Sequence, residues 1–82
     1  MQAAEIQSRV IKILTPYVKD TAALAKASPA TNILEDLKVN SARLVDVVLA
    51  FEDEFDIEIA DEDVDSVETV GNAVALIEAK LG

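Results

Sequence analysis

The spacing of the apolar residues is the feature of this sequence that most limits its possible folds. Apolar side chains recur three and four positions apart near the start, the middle and the end of the chain. This spacing places them on one face of an α-helix. No segment shows a convincing alternation of apolar and polar residues that would indicate a β-strand. Because 82 residues leave room for one small domain, the sequence predicts an all-α bundle over residues 1–82.

The first two helices of this bundle are predicted from apolar spacing and from helix-capping residues. Helix one is expected over about residues 3–18, and Pro16 can kink it or end it early. Helix two is expected from Ser41 to Phe55, with Ser41 as its N-cap because serine is favoured at that position. The inward face of helix two consists of Leu44, Val47, Val48, Phe51 and Phe55.

Two further helices are predicted after an extended stretch from Asp56 to Ala60. Asp61 is expected to cap a short third helix that ends near Ser66, and Thr69 is expected to cap a fourth. The prediction is therefore a small four-helix bundle with a short third helix. The apolar stripe of the last helix consists of Val70, Val74, Ile77 and Leu81.

A long connection between the first two helices covers about residues 19–40. Pro29 and several small polar residues argue against one continuous helix there, although a short helical turn is possible around residues 21–26. Loops of this length inside a compact domain are functional or partly structured. Its three large apolar residues are expected to pack on the core, and they are Ile33, Leu34 and Leu37.

The charge of the chain is concentrated in one region. The formal net charge is −9, and residues 46–65 contain ten carboxylates and no Lys or Arg. Such a surface repels nucleic acid and attracts basic protein patches. The sequence shows neither a signal peptide nor a segment that inserts into a membrane. The chain has no cysteine, which fits a reducing compartment, so a cytoplasmic location is expected. The chain is also expected to be a monomer.

Independent catalysis is an improbable function for this chain. His and Cys are absent, so the usual general base and the reactive thiolate are both missing. Ser41 has Lys38 nearby, but Ser–Lys chemistry needs a buried amine. The alternating Asp61, Asp63 and Asp65 resemble the start of a calcium loop, yet the required Gly and Glu are replaced by Ser66 and Asn72. No metal site is predicted.

Ser41 is placed where a phosphate group is stabilised. Free backbone N–H groups and the helix dipole favour negative charge at a helix N-terminus; taken alone, however, Ser41 could simply cap the helix. Beside it, an apolar strip made of Ala42, Val45 and Leu49 lies off the inward face of helix two. Such a strip suits transient docking into a groove with a basic rim. The acidic residues that flank the strip and can steer such an encounter are Asp46, Glu52 and Asp53.

The chain resembles the acyl carrier protein family at these positions and over nearly its whole length. That family's Asp-Ser-Leu attachment motif corresponds to Asn40-Ser41-Ala42. Residues 45–64 (VDVVLAFEDEFDIEIADEDV) keep the family's aliphatic and acidic pattern, with E-x-E-F at the helix end and I-x-D-E before helix three. Residues 66–77 (SVETVGNAVALI) match the Thr-Val opening of helix four. Residues 32–37 (NILEDL) match the segment that leads to the serine.

The resemblance implies a carrier that holds acyl groups as thioesters on 4′-phosphopantetheine, a phosphoprotein of fatty acid biosynthesis or related lipid metabolism. A phosphopantetheinyl transferase would attach the arm to Ser41 from coenzyme A. Acyl-loading and acyl-transferring enzymes with basic patches would then dock on the carrier. The residues that the resemblance places on the partner-facing surface are Asn40, Ala42, Arg43, Val45, Asp46, Leu49, Glu52 and Asp53. Those that it places around the acyl chain are Leu44, Val48, Phe51, Ile59, Val64 and Ile77.

Three differences from the family pattern surround the serine. Asn40 replaces the usual Asp, Ala42 the usual Leu, and Arg43 brings a positive charge where an acid is common. These differences indicate a specialised member that serves a dedicated lipid, polyketide or related pathway. The alternative is an unmodified acidic helical adaptor that binds a basic protein partner.

Overall fold

The computed structural model of the chain describes residues 2–81. These residues contain no β-strand, only an isolated β-bridge between Asn32 and Thr69, so the all-α prediction is confirmed. The four predicted helices are present, and a fifth short one lies in the long connection. The helices are α1 (Ala3–Leu14), α2 (Thr21–Ala25), α3 (Leu44–Phe55), α4 (Asp61–Val64) and α5 (Val70–Leu81). No helix among the described residues is long and apolar enough to cross a membrane.

The core lies between the three twelve-residue helices. Helix α1 packs against both α5 and α3, and α3 also contacts α5. Each helix buries most of the stripe that its apolar spacing predicts, because that face can be removed from water. Leu44, predicted on the inward face of the second helix, is only half-buried. Helix α1 buries Ile6, Val10 and Leu14, and α3 buries Val47, Val48, Phe51 and Phe55. Helix α5 buries Val70, Ala73, Val74 and Ile77.

The first helix is shorter than predicted. Helix α1 ends at Leu14, and Thr15–Tyr17 form a single 3-10 turn that contains Pro16. Proline has no N–H group for the α-helical ladder, so the chain tightens at this point and then becomes extended at Val18. The Thr15 hydroxyl donates a hydrogen bond to the Ile11 carbonyl oxygen over 2.9 Å. The chain therefore leaves α1 earlier and more sharply than the apolar spacing indicates.

The prediction that Ser41 caps the second helix is wrong, because Asn40 is the capping residue. The Asn40 Oδ1 atom accepts a hydrogen bond from the Ala42 N–H over 2.9 Å, and the Asn40 backbone is extended, as a cap requires. Ser41 is the first residue of a 3-10 turn that ends at Arg43 and leads directly into α3 at Leu44. Both residues are good caps by composition, so the sequence alone does not decide between them.

The start of α4 also differs from the prediction. Ala60, not Asp61, lies at the N-cap, and its N–H donates to Asp63 Oδ2 over 3.2 Å. Since Asp63 provides the acceptor from inside the helix, Asp61 is left exposed. The helix ends at Val64, two residues before Ser66.

The predicted cap of α5 is confirmed. The Thr69 hydroxyl accepts from the Asn72 N–H over 3.1 Å, and the Asn72 side chain accepts from the Thr69 N–H over 3.0 Å. The predicted stripe needs one correction: Leu81 is 39% exposed, whereas Ala73 lies in the core. Leu81 is the last residue of α5.

The long connection is well ordered by its apolar residues and by backbone hydrogen bonds. Ile33 and Leu37 are fully buried and Leu34 is half-buried, so the predicted packing of this segment on the core is confirmed. The Ile33 N–H donates to the Glu68 carbonyl oxygen over 2.9 Å. Earlier in the connection, Pro29 lies so close to Gly71 of α5 that a Cβ atom on residue 71 would be 2.8 Å from the Pro29 carbonyl oxygen. The connection is therefore fixed against the start of α5.

Candidate functional site

Ser41 presents its hydroxyl at the surface. The residue is exposed, and no hydrogen bond of the Ser41 hydroxyl is found among the described residues. This is a consequence of the capping arrangement, because the Asn40 side chain already satisfies the Ala42 N–H. The Arg43 N–H donates to the Asn40 carbonyl oxygen over 2.8 Å, which closes the turn around Ser41. The hydroxyl therefore stands exposed on a turn that is closed by two hydrogen bonds of Asn40.

The apolar strip of the second helix is exposed in the structure. Val45 is 61% exposed and Leu49 is 57% exposed, and Ala42 is exposed one turn before them. Val45 and Leu49 are two of the three large hydrophobic residues with high exposure among those described. Large apolar side chains that remain in water beside one another mark a surface for ligands or partners.

A groove between α3 and α4 begins at this strip. The α3–α4 groove encloses about 260 Å³. Of the residues predicted around an acyl chain, three line the groove, namely Val48, Ile59 and Val64. Leu44, Phe51 and Ile77 do not; Leu44 is half-buried, and the other two lie in the closed core. The remaining lining residues, which the sequence reasoning did not assign to a cavity, are Val45, Leu49, Glu52 and Asp61.

Val45 and Leu49 were recognised in the sequence only as surface residues. Their spacing of four positions places them on one face of α3, with Val48 beside them. That spacing could have indicated that Val45, Val48 and Leu49 line the same side of a groove. The opposite wall, made by Ile59 and Val64, depends on how residues 56–64 fold back, which helical spacing does not encode.

The three acids predicted to face partners have different surroundings. Asp46 Oδ2 lies 3.2 Å from Arg43 Nη1 in an ion pair on the surface. Glu52 is half-buried, and its Oε2 atom accepts a hydrogen bond from the Ile59 N–H over 3.2 Å. Asp53 is exposed. Glu52 therefore also holds the wall of the α3–α4 groove in place.

A second carboxylate connects α4 to the last helix. Lys80 Nζ lies 3.0 Å from Asp63 Oδ2. The hydrogen bond from Lys80, together with the one from the Ala60 N–H, lowers the pKa of Asp63 below its ordinary value. Asp63 is thus a charged link between the short helix and α5 at neutral pH.

Comparison with known proteins identifies the family. Residues 12–77 match the family model described as a phosphopantetheine attachment site. The chain is also similar to the acyl carrier protein from Enterococcus faecalis, whose structure was reported for components that contribute to high thermal stability. The two chains are 35% identical over 98% of this chain and 99% of the other, with a TM-score of 0.79. The chain belongs to the acyl carrier protein family. The resemblance stated from the sequence is confirmed.

The carrier is not an enzyme, and its cofactor is a covalently attached 4′-phosphopantetheine, as the family match shows. The structure provides a suitable position for such a group, because an exposed hydroxyl stands on a fixed turn beside an apolar strip. No group of three or more acidic residues arranged to hold a metal ion occurs within residues 2–81.

Proposed function

We propose that Ser41 is the residue that carries the 4′-phosphopantetheine arm. The observation that supports this most directly is the exposed Ser41 hydroxyl, which the Asn40 cap leaves without a structural function. A phosphopantetheinyl transferase would transfer the arm from coenzyme A to Ser41: Ser41 Oγ loses its proton and forms a bond to the phosphorus next to the pantetheine, while the pyrophosphate bond of coenzyme A breaks and adenosine 3′,5′-bisphosphate leaves. The terminal thiol of the arm then holds acyl groups as thioesters.

The α3–α4 groove is the proposed shelter for the first part of the acyl chain. Its volume of about 260 Å³ and its aliphatic walls suit an unbranched apolar chain. Val48, Ile59 and Val64 would contact the chain in the closed structure. Leu44, Phe51 and Ile77 are proposed as deeper contacts that a longer chain reaches only when the helices separate. Separation at this place is less costly than elsewhere because α4 is only four residues long.

The partner-facing surface is proposed to be the exposed side of the turn and of α3. The apolar strip would enter a shallow groove of the partner, and Asp53 would meet a basic group at the rim. Asp46 and Glu52 contribute charge there as well, although each also has an interaction within the carrier. Asn40 and Arg43 complete this surface at its Ser41 end. The partners would be a phosphopantetheinyl transferase and enzymes that load and transfer acyl groups.

The surface beside Ser41 supports a carrier with dedicated partners. Arg43 is exposed and pairs with Asp46, so negative charge is reduced where the arm is attached. A partner that recognises this carrier therefore needs fewer basic groups near the serine than farther along α3. We infer a specialised lipid, polyketide or related pathway rather than general fatty acid synthesis.

Mass spectrometry after incubation with coenzyme A, magnesium and a broad-specificity transferase tests the attachment site. The wild-type chain is expected to gain one phosphopantetheine, and Ser41→Ala is expected to gain none. Ser8→Ala is the matched control, because Ser8 is also exposed in a helical segment and should leave modification unchanged. An adduct on Ser41→Ala would move the site to another residue. An unmodified wild-type chain with every transferase tested would favour the unmodified adaptor.

A further inference from the structure

A second cavity adjoins the turn that carries Ser41. It is an open cleft of about 450 Å³ between the 3-10 turn that follows α1 and the 3-10 turn that precedes α3. It shares no lining residue with the α3–α4 groove. This basic cleft is lined by Pro16, Tyr17, Val18, Lys19, Asn40 and Arg43.

The charge of the basic cleft is opposite to that of the molecule. Its two charged lining residues are Lys19 and Arg43, and no Asp or Glu is among the residues that line it. The chain as a whole has a net charge of −9, and Arg43 is one of only two basic residues after position 40. A place where cations converge without carboxylates in such a protein is favourable for an anion.

Arg43 remains available to a ligand despite its ion pair with Asp46. The guanidinium has five N–H donors, and the Asp46 contact of 3.2 Å uses one nitrogen, Nη1. The Arg43 side chain is 65% exposed, and an exposed ion pair of this kind contributes little to stability. A phosphate oxygen can therefore be bound by the remaining donors, or replace Asp46, at little cost.

The position of the basic cleft beside the turn of Ser41 indicates which anion the cleft binds. Asn40 and Arg43 both line the cleft, and Ser41 lies between them in a 3-10 turn. The turn that carries Ser41, together with its cap, therefore contributes two of the six residues that line the cleft. A group attached to Ser41 Oγ begins on the same short segment as Asn40 and Arg43, next to the basic cleft in the chain.

We propose that the basic cleft binds the phosphodiester of the arm attached to Ser41, with Arg43 and Lys19 as its cationic groups. The phosphodiester carries one negative charge, and Arg presents a planar pair of donors that matches two phosphate oxygens. Lys19 supplies a second cation from the opposite wall, and the Tyr17 hydroxyl can donate a hydrogen bond. This inference rests on Ser41 as the attachment site. Its consequence is that the base of the arm is ordered while the thiol end stays mobile.

Phosphorus NMR relaxation of the modified carrier tests this arrangement. The phosphodiester of the wild-type carrier is expected to relax as a group fixed to the protein. The Lys19→Gln/Arg43→Gln variant is expected to show several-fold greater local motion at phosphorus. The charge-matched control is Lys12→Gln/Lys26→Gln, which removes two exposed cations that do not line the cleft and should relax like the wild type. Lys19→Arg/Arg43→Lys keeps both charges and should retain most of the order.

Intact mass separates the failure of this inference from the failure of the attachment site. Each sample is first shown to carry one phosphopantetheine that Ser41→Ala abolishes. Equal phosphorus relaxation in wild type and Lys19→Gln/Arg43→Gln, both so modified, would overturn the basic cleft while leaving Ser41 in place. A second measurement does not depend on the variants: modification of the wild type should shift the backbone amide signals of Tyr17 and Lys19. Unchanged signals there would also overturn the proposal.

Discussion

Asn40 caps the turn before α3, and the neighbouring Ser41 has an exposed hydroxyl that does not take part in the cap. The Asn40 side chain stabilises the turn by accepting a hydrogen bond from the Ala42 N–H, so the Ser41 hydroxyl is not needed for this hydrogen bond. A serine that caps its own helix would have to give up that hydrogen bond, or share it, when its oxygen becomes a phosphate ester. With the cap on the preceding residue, the proposed modification of Ser41 would leave the Asn40–Ala42 hydrogen bond intact.

The Asn40 cap can be tested by comparing two substitutions. Asn40→Ala removes the acceptor for the Ala42 N–H, so the free energy of unfolding is expected to fall by about 1 kcal/mol. Asn40→Asp keeps an oxygen at the same position and should lose much less. Denaturant titration of the unmodified chain measures both values. Equal losses in the two variants would show that the hydrogen bond to Ala42 is not what stabilises the turn.

At the scale of elements, the long connection behaves as part of the core. Leu37 is fully buried although it lies in no helix, and hydrogen bonds to Glu68 and from Val70 attach residues 31–33 to the start of α5. The connection thus supplies buried apolar residues in place of the fourth long helix that a regular four-helix bundle would have. The short helix α4 contains no fully buried residue, and Asp63 connects it to Ala60 and to Lys80.

Two Leu→Ala substitutions separate the core contribution of the connection from the exposed strip. Leu37→Ala leaves a cavity in the core and is expected to lower the free energy of unfolding by about 2–5 kcal/mol. Leu49→Ala removes the same atoms from a side chain that is 57% exposed, so its effect should stay within about 0.5 kcal/mol. Denaturant titration measures both. A small loss for Leu37→Ala would show that the connection opens readily and is not part of the cooperative unit.

The link from α4 to α5 can be tested through the pKa of Asp63. Lys80→Met removes the largest interaction that lowers this pKa, so it should rise toward the ordinary value for an aspartate, with the Ala60 N–H still holding it slightly down. Because the pKa is lower in the folded chain than in the unfolded one, the link stabilises the fold at neutral pH. That contribution is lost as the pH falls through the folded pKa.

An NMR titration of the Asp63 carboxyl carbon in both chains measures this shift. Lys12→Met serves as the control, because Lys12 is exposed on α1 and should leave the pKa of Asp63 unchanged. The stability of Lys80→Met should also fall less than that of the wild type on acidification through this range. An unchanged pKa in Lys80→Met would mean that the ion pair is not formed in solution.

At the scale of the whole molecule, acidic repulsion is the dominant electrostatic feature. Ten carboxylates lie within residues 46–65, and three of the ten form ion pairs within the described part of the chain, with Arg9, Arg43 and Lys80. The pair of Arg9 connects α1 to α3 and the pair of Lys80 connects α5 to α4, whereas the pair of Arg43 is local to the start of α3. The other seven carboxylates lie close together in the chain without a basic partner among the described residues and repel each other, and two of them, Glu52 and Asp53, belong to the proposed partner-facing surface.

Screening of this repulsion should stabilise the fold. The melting temperature is expected to rise as sodium chloride increases from about 10 mM to about 300 mM, because the screening length falls from roughly 30 Å to below 8 Å. The quadruple variant Glu58→Gln/Asp61→Asn/Glu62→Gln/Asp65→Asn removes exposed acids without touching an ion pair. It should melt higher at low salt and respond less to added salt. A melting temperature that is independent of salt would contradict the repulsion.

The sequence by itself determined the helical class, the faces that are buried and the family of the carrier. These properties depend on spacing within single segments, and an amphipathic stripe has the same meaning wherever its helix packs. The cap of α5 is local in the same way: it is predicted from Thr69, and Thr69 forms its hydrogen bonds with Asn72, three positions farther on. The prediction that residues 33–37 pack on the core followed equally from their apolar side chains, which cannot remain in water.

Only the tertiary structure decided which residues share a cavity and which neighbour serves as a cap. The walls of the α3–α4 groove come from residues 45–52 and 59–64, and those of the basic cleft from residues 16–19 and 40–43. Such pairings depend on how the connections fold back, and helical periodicity does not describe connections. The choice of Asn40 over Ser41 as the cap was set in the same way, because backbone geometry at residues 40–43 decides which of two suitable oxygens reaches a free N–H.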